Sequence, residues 1–189
     1  MERALPLVLA GALLAGCGVL NDTDRGASTA MDMQEAAERA DSMLDATLDA
    51  IVPEVQWAHD DTTAGSCDLT RRRTVMTVIS EQRRGSFLGV IERFWKKSGY
   101  VITAVNSDAD YPDIFAETPD GFGIDLTIGD KGQAYFEVNT PCVKKSKVAA
   151  PTAKPNGPDY AGVPIPRPNV RSDFWSAETP APPRSPSAG

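Results

Sequence analysis

The chain has 189 residues, 41% of them hydrophobic and 24% charged, with 15 Gly, 15 Pro, 3 Cys, 1 His and a formal net charge of −7. That length carries one domain plus tails, and the composition excludes a wholly disordered chain and a disulfide-dense mini-protein. Net acidity excludes nucleic acid as the main partner, because phosphate binding needs a basic surface, and a single His excludes a His-rich metal site.

Residues 4–16 are an apolar run of 13 residues. A membrane-spanning helix needs about 20, so this run is too short to span and fits the core of a signal peptide over 1–16. It closes on Leu14-Ala15-Gly16-Cys17. This resembles the lipobox of bacterial lipoproteins, although an ordinary secretory signal containing a Cys is the alternative. The resemblance implies a diacylglycerol on the Cys17 sulfur, cleavage before it and an N-acyl lipid on the new N-terminus. Two or more acyl chains meet the requirement for stable anchoring. It also implies a place on the extracytoplasmic face of the bacterial cell membrane. Residues 17–30 then form a lipidated tether of small and polar residues.

A folded α+β domain is expected over 31–148. Met33, Ala37, Ala40, Leu44, Leu48 and Ile51 recur at helical spacing, so 31–51 reads as an amphipathic helix that Pro53 ends. Its other face is acidic. A short strand is expected at 54–59, and 72–80, rich in Val, Ile and Thr, reads as a longer one. Ser86 is placed to cap a second helix running to Ser98, with Gly99 ending it in the left-handed conformation.

The period then switches to two. Segments 100–106, 113–118, 122–129 and 133–139 read as consecutive strands. Phe122, Ile124, Leu126 and Ile128 alternate with Gly123, Asp125 and Thr127, so one face is buried and one wet. Thr118-Pro119-Asp120-Gly121 and Gly129-Asp130-Lys131-Gly132 are tight turns, which make neighbours antiparallel. The expected fold is α+β: an antiparallel meander of four to six strands with two helices on one face.

Residues 149–189 hold ten of the fifteen prolines. Such a composition buries little, so a disordered tail is expected, with Phe174-Trp175 as its one apolar spot and the sharper alternative of a docking peptide. Outside the cytoplasm, Cys67 and Cys142 are left as an even pair and should form a disulfide.

Charge is unevenly placed. Segment 71–97 carries eight bases (Arg71, Arg72, Arg73, Arg83, Arg84, Arg93, Lys96 and Lys97) against two acids, between acidic blocks at 22–61 and 108–137. Blocks of alternating sign ordinarily face each other or water. The sharper reading is a basic surface, formed by Arg71, Arg72, Arg73, Arg83, Arg84, Lys96 and Lys97, toward anionic lipid or wall polymer.

No catalytic or metal-ligating residue is assigned. His59-Asp60-Asp61 lacks further ligands and reads as a loop. Asn106, Asp108, Asp110 and Glu117 have the spacing of a calcium loop, but Tyr111 stands where that loop needs Gly. Ser86 is not in a nucleophile elbow. A hydrolytic enzyme would need Asp113, Glu117, Asp125 and Glu137 in one cleft.

The segments Arg83-Arg84-Gly85-Ser86-Phe87-Leu88-Gly89, Glu92-Arg93-Phe94-Trp95-Lys96-Lys97-Ser98-Gly99-Tyr100 and Thr118-Pro119-Asp120-Gly121-Phe122-Gly123, with Asn139-Thr140-Pro141-Cys142, resemble small uncharacterised lipoproteins of actinomycetes such as Streptomyces. The resemblance implies location and a small α+β domain, and carries no catalytic residue. The resulting expectation is a non-enzymatic binding or structural module of the cell envelope, anchored by lipid. Its partner would be an envelope protein or wall polymer. It needs no cofactor beyond the covalent lipid. The alternative is a carrier of small hydrophobic ligands with a pocket between helices and sheet.

Overall fold

Asp32 sets the start of the first helix. Its carboxylate accepts from the backbone N–H of Gln34 (2.9 Å) and Glu35 (3.0 Å), while Glu35 accepts from the Asp32 N–H (2.9 Å), a reciprocal capping box. The helix, α1, runs Met33–Asp49 and buries Ala37, Ala40, Leu44 and Leu48. These positions belong to a computed structural model of the chain, which describes residues 31–160 and 162–180. The signal peptide expected over 1–16, the tether over 17–30 and the lipidated Cys17 lie outside the described residues.

The elements that follow are β1 (Trp57–Ala64), β2 (Leu69–Val75), α2 (Glu81–Lys97), β3 (Val101–Asn106), β4 (Asp113–Glu117), β5 (Gly123–Ile128) and β6 (Ala134–Asn139). Among the described residues they build an α+β fold. One antiparallel six-stranded sheet has the order β1-β2-β6-β5-β4-β3. The β3–β6 meander is joined to the β1–β2 hairpin by pairing of β6 with β2. Gly99 (φ +82°) ends α2, and Gly121 (φ +85°) closes the β4–β5 turn with its N–H on Thr118 O. Both sit where a side chain would be strained.

One face of the sheet is covered by the helices, α1 over β2 and β6, α2 over β3 and β4. The space between is filled by Leu44, Phe87, Ile91, Trp95, Leu126 and Phe136, all fully buried. Trp95 is held by its indole N–H, which donates to Thr47 Oγ1 at 3.1 Å. These side chains pack the centre of the helix–sheet layer.

Several boundaries differ from the expected ones. The first strand begins at Trp57 and runs through the polar 60–64, because β2 supplies partners beyond a bulge between His59 and Thr62. β2 lies at 69–75, since 76–80 leave the sheet to receive another segment. α2 starts at Ser80, six residues before Ser86. The Ser80 hydroxyl donates to Ala177 O (2.6 Å) and caps nothing, so this helix start carries no local cap bond.

The largest correction concerns 149–180. The disordered tail expected from composition is, through residue 180, a strap packed on the domain. Thr77 pairs with Val170 in a parallel bridge, and Val78 N–H donates to Val170 O at 2.9 Å. Ser80 N–H donates to Trp175 O at 3.0 Å. Trp175 is 1% exposed, edge-on to Phe87 at 5.1 Å, with its indole N–H on Pro53 O at 2.5 Å. The docking alternative weighed for Phe174-Trp175 is the one the structure adopts. Prolines lower the entropy that ordering must overcome, and one large aromatic in the core supplies the burial the rest of the strap lacks.

Candidate functional site: the strap cleft and the arginine network

Cys67 and Cys142 are joined by a disulfide, with Cα atoms 4.8 Å apart. It ties the chain just before β2 to the chain just after β6, beside the hydrogen bond from Val143 N–H to Cys67 O (2.7 Å).

The arginines do not form the expected basic surface. In β2, side chains alternate between faces, so Arg71 and Arg73 point toward the helices and Arg72 toward the open face. Arg73 is fully buried. It pairs with Asp45 of α1, lies 3.8 Å from Asp41 and stacks over Trp57 at 4.2 Å. Arg71, 3% exposed, donates to Thr62 Oγ1 (2.5 Å) and Ala149 O (2.7 Å), with Asp41 at 3.3 Å. Burial raises the Asp41 pKa and lowers that of Arg71, against their mutual attraction. Desolvation therefore takes back much of what the ion pairs contribute.

Arg83 is buried against Phe174 of the strap, with its guanidinium 4.6 Å from the ring centre. Arg84 is buried and donates to Ala109 O and Asp110 O, each at 3.0 Å. Arg72 pairs with Glu137, and Lys96 with Glu92 at 2.6 Å. Of the seven residues proposed as a basic surface, Arg71, Arg73, Arg83 and Arg84 are buried, which removes it. The acidic helix, the arginine strand and the acidic meander face one another inside one fold.

The open face carries the carboxylates. Register sets Asp125 directly beside Glu137 on β6 and Phe115 on β4, and Asp113 beside Thr127. Glu117 lies at the far end, opposite Gly123. All four lie on the open face, with Asp125 beside Glu137 and within electrostatic reach of Asp113, and with Glu117 and Asp125 bordering a shallow opening of about 160 Å³. Burial pushes Asp125 up to about 6, helped by the Asp113 charge and opposed by Arg72. Its carboxyl is protonated more readily folded than unfolded, so folding stability falls as pH rises from about 4 to 6 and is then level. Asp125→Asn should stabilise the domain by ~1–2 kcal/mol at pH 7.5 and by nothing at pH 3.5, less than the full linkage value because the side chain is partly solvated. Urea denaturation at the two pH values checks this. An equal effect at both would remove the titration.

A cleft of about 900 Å³ opens where the strap passes the sheet. Arg72, Thr74 and Tyr135 form its floor, and His59 and Asp60 one wall. Strap residues 150–155 and 162–165 form the other. Most of its polar groups are already engaged. Asp60 accepts from Thr74 Oγ1 at 2.6 Å, and His59 Nε2 donates to Ala153 O at 2.7 Å. Burial, with Asp60 adding to it, raises the Tyr135 pKa. The cleft thus offers aromatic and proline walls with a paired arginine. The bond from His59 Nε2 to Ala153 O ties β1 to the strap.

Among the described residues, no group of three or more His, Cys, Asp and Glu could hold a metal ion, and no helix is long and apolar enough to cross a membrane. In the region spaced like a calcium loop, Asp108 accepts from the Asp110 (2.8 Å) and Tyr111 (2.9 Å) N–H groups, an Asx turn. Ser86 sits within α2. The strap residues Ala153 and Asn156 went unnoticed in the sequence because their roles use backbone and amide groups. Trp175 alone left a signal, an aromatic among prolines.

No protein-family model matches the chain, and no curated protein matches it. A solved structure of a DUF4853 family protein from Actinomyces odontolyticus is similar at 9% identity and a TM-score of 0.35, over 76% of this chain and 78% of that one. A likeness this slight carries nothing further here.

Proposed function

We propose that this protein is a lipid-anchored extracytoplasmic lipoprotein whose α+β domain is a non-enzymatic binding or structural module of the cell envelope. Leu14-Ala15-Gly16-Cys17, closing an apolar run too short to span, carries the reading. The Cys67–Cys142 disulfide supports it, since such bonds persist in oxidising compartments and this one leaves Cys17 as the remaining cysteine of three. On the domain, the strap cleft of about 900 Å³ has room for a ligand. Its aromatic and proline walls favour binding. The partner would be an envelope protein or wall polymer.

Growing the source cells with labelled palmitate tests the anchor. The expected result is a labelled protein that sediments with membranes, and loss of both label and sedimentation in Cys17→Ser. An unlabelled product released to the medium, unchanged by Cys17→Ser, overturns the reading.

A further inference from the structure

The two edges of the sheet are treated differently. At the β1 edge the chain covers itself: Trp57 N–H donates to Asn156 Oδ1 at 3.0 Å, and His59 bonds Ala153 O. At the β3 edge no strand follows among the described residues. Its sequence, Val-Ile-Thr-Ala-Val-Asn, has no charge and no Pro, the usual protections of an exposed edge; one bulge lies between Ile102 and Ala104. Val101 is 63% and Val105 51% exposed.

Beside this edge a groove of about 510 Å³ opens against α2, where Val105 lies across from Gly85 and Gly89. A Cβ at Gly85 would meet nothing within 4 Å. Among the described residues nothing requires a glycine there, although it weakens the helix relative to Ala. Strand addition uses this combination of a free edge for main-chain hydrogen bonds and an adjoining pocket for alternate side chains.

We propose that the β3 edge and its groove form an interface with a second copy of this chain, the two β3 strands pairing antiparallel. Charge selects the occupant and its direction. Lys97 lies four residues before the strand and Asp110 four residues after it. Antiparallel apposition brings Lys97 of each copy to the Asp108–Asp110 end of the other, and does so twice. Parallel apposition would set like against like. Lys97 is exposed, and the Asp110 side chain is 72% exposed, its carboxylate 3.8 Å from Arg84. Side chains agree with this direction. Ile102 and Val105, opposite buried Ala116 and Ile114 on β4, both lie on the helix side. In the pair, Ile102 of one copy stands opposite Val105 of the other, at the groove. A two-fold interface of this kind is closed, so it ends at a dimer.

The test is sedimentation equilibrium of the full chain carrying Cys17→Ser, in a non-ionic detergent that disperses the apolar 4–16 run. Without the lipid, the result is independent of the anchor. A reversible monomer–dimer equilibrium is expected. Lys97→Glu and Asp110→Lys should each weaken it about five-fold, as two exposed ion pairs per dimer allow, and the double variant should regain most of the loss. Val105→Lys should leave a monomer. Thermal unfolding midpoints within a degree or two of the parent show that the variants are folded. A chain monomeric at all concentrations, a dimer indifferent to folded Val105→Lys, or a charge-swapped pair no better than its single variants each overturns the proposal.

Discussion

Trp175→Ala should destabilise the domain by about 3–5 kcal/mol, the usual range for deleting a large aromatic from a packed interior. The side chain lies outside the segment that composition marks as folded, yet it is among the most buried in the molecule. It meets Phe87 and Phe174 edge-on at 5.1 and 4.8 Å, and its indole N–H satisfies Pro53 O. Truncation leaves a cavity against Phe87 and frees that carbonyl. The C-terminal part of the strap then loses its buried anchor and keeps only hydrogen bonds such as those at Val170, Ser176 and Ala177, while the bonds of Ala149, Ala153 and Asn156 hold its first part. Denaturant unfolding of the parent, of Trp175→Ala and of Val163→Ala decides it. Val163, also on the strap, is 57% exposed and should matter little. Equal stability of all three proteins would mean the strap contributes nothing.

The second large effect is expected from the disulfide. Cys67→Ser with Cys142→Ser should cost about 4 kcal/mol, since the bond closes a loop with 75 residues of separation and withholds that freedom from the unfolded chain. The bonded cysteines flank the β2–β6 pairing, the joint between hairpin and meander. The loss should therefore appear as lower stability of the whole domain rather than fraying at one end. Urea titrations of the parent, oxidised and reduced, and of the double variant provide the measurement. A reduced parent as stable as the oxidised protein would show that the closed loop has no such role.

The local elements were legible because each is a short-range matter. Phe122, Ile124, Leu126 and Ile128 alternate whatever they pack against, and the structure buries all four. Pro119 and Gly121 make a turn by their own backbone preferences. Strands β3 to β6 accordingly fall within a residue or two of their expected places. Where local signal was weak, boundaries moved: Ser86 has the chemistry of a cap, but α2 begins at Ser80, whose hydroxyl is used by the strap.

The candidate site was less legible, for a physical reason. An arginine reads as surface unless its partners are known, and Arg73 finds Asp45 and Asp41 some thirty residues away, with Trp57 beneath it. The cleft has walls from two regions whose sequences say nothing of each other, β1–β2 and the strap. Asp125 and Glu137 could be placed on one face by period, but the desolvation that raises Asp125 depends on what surrounds it.

From its sequence alone this protein determined the helix and strand periods, the turns, the antiparallel order of the meander and the cysteine pair. Each depends on a few neighbouring residues, on the parity of side-chain alternation, or on the number of cysteines to be paired. Only the tertiary structure decided that β6 joins β2, that Arg71, Arg73, Arg83 and Arg84 are buried and that a proline-rich segment packs on the domain with a tryptophan in the core. Those outcomes depend on burial and charge pairing between residues far apart in the chain, which no local pattern encodes.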